Sequence, residues 1–359
     1  MELSRKDTTI LKGMAILLMI NLHLFARKDI DGLYVSFFWI NDVPVEYYVG
    51  LLGDACRPIY LFATGYAFYI VYKKNQETFV LKNFRRILKL SVNFWIVLVM
   101  FVSIGILTGQ ADTFPGSASK FFQNFFFLSN SYNGAWWFLQ VYIIITLLSP
   151  ILIKLVKRYN PIALFLGSGV IYFICYVQFY KNIINVSDYD LLSSTVSMVT
   201  LLGTSQLSFI IGSIFAKERI YTKIHNKFSN IEFKNTLCAL GIFSLIIFHG
   251  IIESAIIGPI NGILFVCLFS LMNKSILVQK VLTYLSNHST NLWLIHMFFY
   301  TMFIPQVTFF PEYPPLIFIW LIVLCLITSH VIKLLYKPIF NLIDKRSQKM
   351  EGEGHINIS

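Results

Sequence analysis

A lysine and a histidine are the first ionisable residues inside an apolar stretch of this sequence. Lys12 and His23 lie in the segment LKGMAILLMINLH, eleven positions apart. In a helix each residue turns by about 100°, so both side chains project from one face, within ~20° of each other and ~16 Å apart along the axis. An ionisable group inside a membrane span is costly and is a functional candidate by default. The pair therefore predicts a polar path along one helix face.

Imidazole is the side chain best suited to remove a proton from a hydroxyl near neutral pH. We expect His23 to be unprotonated in its apolar surroundings and predict that it acts as a general base, while Lys12 holds a negatively charged group. Each residue also has an ordinary explanation. A lysine near the end of a span extends its ammonium group to the interface, and a histidine in a membrane helix often serves packing or hydrogen bonding.

A basic cluster precedes the third predicted span, in the segment KNFRRILKL. Arg85, Arg86 and Lys89 could grip a phosphorylated cofactor through charge-assisted hydrogen bonds. The excess of basic residues on the cytoplasmic side of membrane proteins explains such a cluster more simply when this stretch is considered alone.

The second predicted span, GDACRPIYLFATGYAFYIVY, carries two charged residues near its outer end, at about the depth of His23. Asp54 and Arg57 neutralise each other, or Asp54 orients His23 and Arg57 binds an acceptor. Pro58 and Gly65 would break or thin this helix, which is tolerated where a helix lines a cavity.

Two later spans add aromatic and histidine candidates. Trp136 and Trp137 stand at the start of the fourth span, where anchoring at the membrane interface is the ordinary role and stacking on a sugar ring is the alternative. His296 lies near the middle of the ninth span, in STNLWLIHMFFY. A structural hydrogen bond to a neighbouring helix is its ordinary role.

The composition excludes an ordinary soluble domain, because 56% of the residues are hydrophobic, 13% are charged and the mean hydropathy is +0.67. We predict an all-α, polytopic membrane protein of about ten transmembrane helices. One membrane domain covers residues 1–340, and a polar cytoplasmic tail covers 341–359. The predicted spans are 8–26, 50–72, 90–108, 135–156, 162–180, 194–216, 236–253, 256–273, 286–306 and 315–337.

The distribution of basic residues predicts that both termini are cytoplasmic, because 24 of the 29 lysines and arginines fall in segments on the side of the termini. The net charge of +11 then needs no nucleic acid partner. The five cysteines show no disulfide framework or metal spacing, and we predict no metal. The outer loop 109–134 contains FFQNFFFL, which is expected to lie along the interface as a short amphipathic helix or to form a re-entrant lip.

Taken in order, these motifs resemble the acyltransferase-3 family of integral membrane O-acyltransferases, of the carbohydrate O-acetyltransferase type. The matching segments are the basic residue and histidine of the first span, PIYLFATGY in the second, a basic pair at Arg86 and Lys89, Trp137-Phe138-Leu139, and Leu294-Ile295-His296. Thr64 replaces the family's serine, and Lys89 replaces an arginine, which loses the two-pronged grip on phosphate.

The resemblance implies transfer of an acyl group, usually acetyl, from cytoplasmic acyl-CoA to a hydroxyl of an envelope or exported polysaccharide or of its lipid-linked precursor. The expected location is a bacterial inner membrane, with envelope-glycan assembly proteins as possible partners. The predicted catalytic residues are His23 and Asp54. The predicted acetyl-CoA-binding residues are Lys12, Arg85, Arg86 and Lys89. The predicted residues for the carbohydrate acceptor are Arg57, Tyr60, Trp136, Trp137 and His296.

Two other functions fit parts of the sequence. A transporter or exporter of polysaccharide or lipid-linked sugar suits the number of spans and the aromatic residues, but no inverted repeat is detectable and carboxylates for ion coupling are scarce. A glycan polymerase or ligase would usually have larger outer loops. Flux across vesicles without dependence on acyl-CoA would favour the transporter.

Overall fold

The computed structural model describes residues 2–184 and 190–356, with side chains undescribed at 190–191 and 346–356. The described chain is helical almost throughout, which confirms the all-α prediction. Its strands, β1 (Trp39–Ile40) and β2 (Val43–Pro44), form a short antiparallel hairpin after the first helix. The helices are α1 (Arg5–Phe25), α2 (Val45–Leu51), α3 (Cys56–Lys74), α4 (Phe79–Leu107), α5 (Ala118–Phe125), α6 (Trp137–Arg158), α7 (Pro161–Lys181), α8 (Asp190–Glu218), α9 (Ile220–Phe228), α10 (Lys234–Ile251), α11 (Gly258–Leu271), α12 (Ile276–Met297), α13 (Pro305–Phe309) and α14 (Pro314–Ile356).

Seven of the described helices, α1, α4, α6, α7, α8, α10 and α14, are long and apolar enough to cross a membrane. The chain is therefore a polytopic membrane protein, as predicted. The other three predicted spans correspond to α3, α11 and α12. Helices α3 and α12 have 19 and 22 residues but are less apolar, and α11 has only 14 residues.

Several helix ends differ from the predicted spans because hydropathy marks the apolar part of a helix and not its termini. Helix α4 begins at Phe79 and not near residue 90, so the basic cluster lies inside the helix. Helix α12 ends at Met297 and passes into a π-helical turn at Phe298–Phe303. Helix α14 continues to Ile356, beyond the predicted boundary at 340, and residues 357–359 lie outside the described ranges.

The outer loop forms one of the two predicted structures. Helix α5 is short and amphipathic, and Phe122 on its outward face is 54% exposed. The short amphipathic helix expected from the aromatic run is therefore present, and its position at the membrane interface stays a prediction.

Helix α1 is the central element of the bundle. Its N-terminus is closed by a capping box in which the Ser4 hydroxyl accepts from the Asp7 amide and the Asp7 carboxylate accepts from the Ser4 amide. Its buried residues divide between two apolar clusters. Leu11 and Ala15 join the cluster around α3 and α8, and Ile20 joins the cluster around α4, α12 and α14.

Close packing fixes α1 against α12, to which it runs parallel. Gly13 makes this possible, because a Cβ at that position would overlap the backbone carbonyl of Leu282. The described residues next to both termini lie at one end of the bundle, here called the termini end, where Glu2 accepts a hydrogen bond from Tyr66 and Asp344 pairs with Lys89. The opposite end, called the far end, carries the loops around Asn130 and Ala255. Lys12 lies towards the termini end of α1 and His23 towards the far end.

Candidate active site

One cavity of about 750 Å³ runs between the helices beside α1. Lys89 and Phe340 line it at the termini end, and Asn130 and Ala255 line it at the far end. Its volume is within the range of ~300–1,000 Å³ typical of small-molecule sites. Predicted site residues that line it are His23, Asp54, Arg57, Tyr60, Arg86, Lys89 and Trp137. The cavity extends from one end of the bundle towards the other, with His23 in its lining and Lys12 outside the lining, beside Tyr60.

His23 is held by a second histidine at the far end of this cavity. Its Nδ1 lies 2.6 Å from Nε2 of His296, and the two ring planes are within 3° of each other. His296 is fully buried and is not among the cavity-lining residues. The parallel packing of α1 and α12 brings the two rings together.

The hydrogen bonds of this histidine pair define which nitrogen carries each proton. Nδ1 of His296 lies 2.8 Å from the carbonyl oxygen of Trp293, and because a carbonyl can only accept, this nitrogen carries hydrogen. In a neutral ring Nε2 of His296 is then the acceptor, so Nδ1 of His23 must donate to it. None of the described residues bonds to Nε2 of His23. This nitrogen therefore has a lone pair available to a ligand in the cavity.

Basic side chains surround the termini-end half of the cavity. Nη1 of Arg86 donates to Oδ1 of Asn83 at 2.7 Å, and its guanidinium lies 4.5 Å from the Phe68 ring centre. Asn83 is buried and donates in turn to Oγ of Ser149 at 2.8 Å, so α6 fixes its orientation. Arg86 is thereby positioned by one bond, which leaves further N–H groups for a ligand.

Lys12 approaches the same space from α1. Its Nζ lies 4.9 Å above the ring centre of Tyr60, which lines the cavity. Neither Lys12 nor Arg86 belongs to an ion pair within the described part of the chain, so two cations face this region without a protein counter-charge. Such an arrangement suits an anionic ligand, because an uncompensated charge away from water is costly.

Lys89 differs from Arg86 because it already has a carboxylate partner. Its Nζ lies 2.6 Å and 2.7 Å from the two oxygens of Asp344, on the extension of α14. It also lies 5.3 Å from the ring centre of Phe340. This pair joins α4 to the C-terminal part of α14 at the end of the cavity.

Asp54 does not have the partner considered from the sequence. Its Oδ2 lies 3.3 Å from Nε2 of His249, an ion-pair distance without good hydrogen-bond geometry. Nδ1 of His249 lies 3.0 Å from Nδ2 of Asn261, and both residues are fully buried. The bonded partner that orients His23 is therefore His296, and Asp54 faces the cavity from a separate polar cluster.

Arg57 and Asp54 do not form the predicted mutual pair. Nη1 of Arg57 makes a long hydrogen bond of 3.4 Å to the Thr204 hydroxyl, and its guanidinium lies 5.4 Å from the Trp137 ring centre. No ion pair of Arg57 occurs among the described residues. Arg57 and Trp137 both line the cavity, which agrees with their predicted placement at a ligand site.

Two other predicted site residues lie away from the cavity lining. Trp136 is 2% exposed, and its indole N–H donates to the Leu294 carbonyl at 2.9 Å, so it joins α6 to α12. Arg85 lies in α4, on a side of the helix that does not line the cavity. Their proposed contacts with ligands remain predictions that no contact of the structure supports.

The loops at the far end are braced by a charged contact. Nζ of Lys28 lies 2.5 Å from Oε2 of Glu253, which also accepts from the Tyr47 hydroxyl at 3.0 Å. The hydrogen bond from Lys28 lowers the pKa of Glu253, and burial together with the bond to Glu253 raises the pKa of Tyr47 to about 12. This contact joins the loop after α1 to the segment before Ala255 at the cavity.

Four polar residues of the site were not predicted from the sequence: His249, Asn261, Asn83 and Asp344. His249 had a detectable signal, since it is an ionisable residue within a predicted span, the same feature that identified His23. The other three are polar residues whose roles depend on packing between distant helices, and spacing within one helix does not show it.

An all-α polytopic bundle around a cavity with charged side chains in its lining is typical of a membrane protein that transports a solute or acts on one. Comparison with known families separates these two classes. The profile of the acyltransferase-3 family, described as an acyltransferase domain, matches residues 7–334. The chain therefore belongs to the acyltransferase-3 family and is a membrane acyltransferase. Searches of curated proteins and of solved structures found no match.

Proposed function

We propose that this chain is an acyl-CoA-dependent O-acyltransferase of the bacterial inner membrane. It moves an acyl group, most simply acetyl, from cytoplasmic acyl-CoA to a hydroxyl of an envelope or exported polysaccharide or of its lipid-linked precursor. The observation that carries the proposal is the continuous cavity that has Arg86 and Lys89 at one end and the free nitrogen of His23 at the other. Envelope-glycan assembly proteins would present the acceptor at the far end.

The donor is held by its phosphates at the termini end. Arg86 and Lys12 supply cations without a protein counter-charge, and Lys89 becomes available when its carboxylate partner is displaced. Phosphates form strong charge-assisted hydrogen bonds with such groups. The distance of ~16 Å along α1 from Lys12 to His23 is of the order of an extended pantetheine arm, so the thioester reaches the histidine while the nucleotide stays behind.

The reaction needs one base that later returns its proton. Nε2 of His23 takes the proton of the acceptor hydroxyl while that oxygen attacks the thioester carbonyl carbon. The carbon–sulfur bond then breaks, and the CoA sulfur receives the proton from His23. The products are the ester and free CoA thiol, so protons balance without a metal ion or a covalent acyl-enzyme.

His296 acts in this scheme as a positioning residue. Its Nε2 accepts from Nδ1 of His23 at 2.6 Å and so places the lone pair of His23 on the other nitrogen. The carbonyl of Trp293 holds His296 in the matching protonation form. This differs from the predicted role of His296 in substrate binding, and it assigns to His296 the orienting function considered for Asp54.

Purified protein in nanodiscs tests the proposal. Labelled acetyl-CoA should be bound and slowly hydrolysed, and transferred when a suitable glycan is added. His23→Ala should abolish hydrolysis and transfer while thermal stability and acetyl-CoA binding are retained. His330→Ala is the matched control, because His330 is an exposed histidine on a spanning helix and does not itself line the cavity. Transfer by the His23→Ala protein would contradict the mechanism.

A further inference from the structure

The far-end half of the cavity contains a cation, Arg57, whose expected partner, Asp54, contacts another residue. Asp54 precedes Arg57 by three residues, a spacing at which opposite charges on a helix commonly pair. Instead, Oδ2 of Asp54 lies 3.3 Å from Nε2 of His249. Arg57 keeps one long bond to Thr204 and otherwise faces the cavity beside Trp137.

The group that diverts Asp54 is built into the packing of α10 and α11. Asn261 lies 3.0 Å from Nδ1 of His249 and leaves Nε2 to face the carboxylate. Asn261 is placed there because α11 packs closely on α3. A Cβ at Gly262 would lie 2.5 Å from Cβ of Pro58, so only glycine permits this approach. The packing of α11 on α3 therefore holds Asn261, and through it His249, beside Asp54.

The consequence is a guanidinium in a cavity between membrane helices that forms no ion pair with any described residue. A guanidinium has five N–H donors, and among the described residues Arg57 uses one of them in a side-chain bond. Its planar fork matches carboxylate and phosphate groups, and the desolvation cost of the cation is offset when such an anion binds.

We propose that Arg57 binds an anionic group of the acceptor, a carboxylate or phosphate close to the hydroxyl that is acylated, and that His249 keeps Asp54 from occupying this position. The acceptor is then an acidic glycan or a phosphate-linked sugar, and not a neutral one. Trp137, which lies beside the guanidinium, provides the face on which the sugar ring packs. The identification of this ligand as the acceptor rests on the proposed function, but the binding itself requires no acyl transfer.

Ligand binding to the full-length purified protein tests this without acetyl-CoA. The probes are methyl glucuronide, its neutral counterpart methyl glucoside, and glucose 1-phosphate, titrated by thermal shift. Both anionic probes should bind about tenfold or more tightly than the glucoside, as expected for a charge-assisted bond to a half-buried cation. Arg57→Gln should remove the preference and Arg57→Lys should retain part of it, whereas Arg158→Gln, at an exposed arginine outside the cavity, should not change it.

Asp54 and His249 provide the second test. Asp54→Asn should retain or strengthen the preference for the anionic probes. His249→Ala should weaken it, because the released carboxylate can pair with Arg57, and the double variant with Asp54→Asn should restore it. Equal binding of charged and neutral probes, or loss of the preference in Asp54→Asn, would overturn the inference even if His249→Ala does not fold.

A titration with coenzyme A separates the two possible sources of the anion. Arg57→Gln should leave coenzyme A binding unchanged. A tenfold weaker binding of coenzyme A in this variant, by about 1.4 kcal/mol, would assign Arg57 to the donor and overturn the inference. Failure of acetyl-CoA hydrolysis with intact anion preference would contradict only the proposed function.

Discussion

Removal of His296 should slow catalysis without weakening the binding of acyl-CoA. In His296→Ala, Nδ1–H of His23 loses its acceptor at 2.6 Å. An unsatisfied buried donor costs ~1–3 kcal/mol, so the productive protonation form of His23 becomes less populated by about 5–150-fold. We expect kcat to fall by this factor while KM for acetyl-CoA stays unchanged, because His296 lies away from the basic residues and behind His23.

Transfer or hydrolysis of labelled acetyl-CoA by protein in nanodiscs measures both constants. His296→Gln should restore part of kcat, since its side-chain carbonyl can accept from Nδ1 of His23. Thermal unfolding separates this effect from a loss of folded protein. A kcat of His296→Ala within about twofold of the unaltered protein is a smaller change than the loss of even a weak hydrogen bond, and it would contradict the positioning role of His296. So would a rise in KM with kcat unchanged.

Other residues give three further tests. Arg86→Ala should raise KM for acetyl-CoA by about tenfold or more with little change in kcat, because a charge-assisted bond to the donor is lost. An unchanged KM would show that Arg86 does not bind the donor. Gly13→Ala should lower the thermal unfolding temperature by an overpacking cost of ~1–3 kcal/mol, whereas Gly167→Ala, where an added Cβ would meet no neighbouring atom within 4 Å, should not. The lowered pKa of Glu253 means that its ion pair with Lys28 stabilises the fold above the ordinary glutamate pKa of about 4.3 and is lost as the pH falls. Glu253→Gln should therefore lower the unfolding temperature at pH ~7 but not at acid pH, and an equal effect at both would contradict this.

Much of the fold follows from hydropathy and charge because each apolar stretch of about 20 residues reports a membrane span without regard to its neighbours. The all-helical architecture and the positions of the spans could be predicted in this way. The start of α4 could not, since its first turns carry Arg85, Arg86 and Lys89 and do not look apolar.

The candidate site was predictable where a rule acts within one helix. The shared face of Lys12 and His23 depends only on helix geometry, and the cavity contains or adjoins both. The partners of these residues depend on which helices meet. The distance from His23 to His296, and from Asp54 to His249, is set by the packing of α1 on α12 and of α11 on α3, which no local pattern encodes. The two neighbouring tryptophans illustrate the same limit, because Trp137 lines the cavity whereas Trp136 packs against α12.

In the proposed mechanism one cavity joins a donor site at the termini end to a base at the far end. The sides of the membrane on which donor and acceptor must be supplied test this arrangement. Vesicles with a single orientation of the protein receive labelled acetyl-CoA, which does not cross the membrane, only on the side of the termini, and the glycan acceptor only on the opposite side. We expect labelled glycan on the far side with the unaltered protein and none with His23→Ala. Labelled product that forms only when donor and acceptor share one side would contradict it.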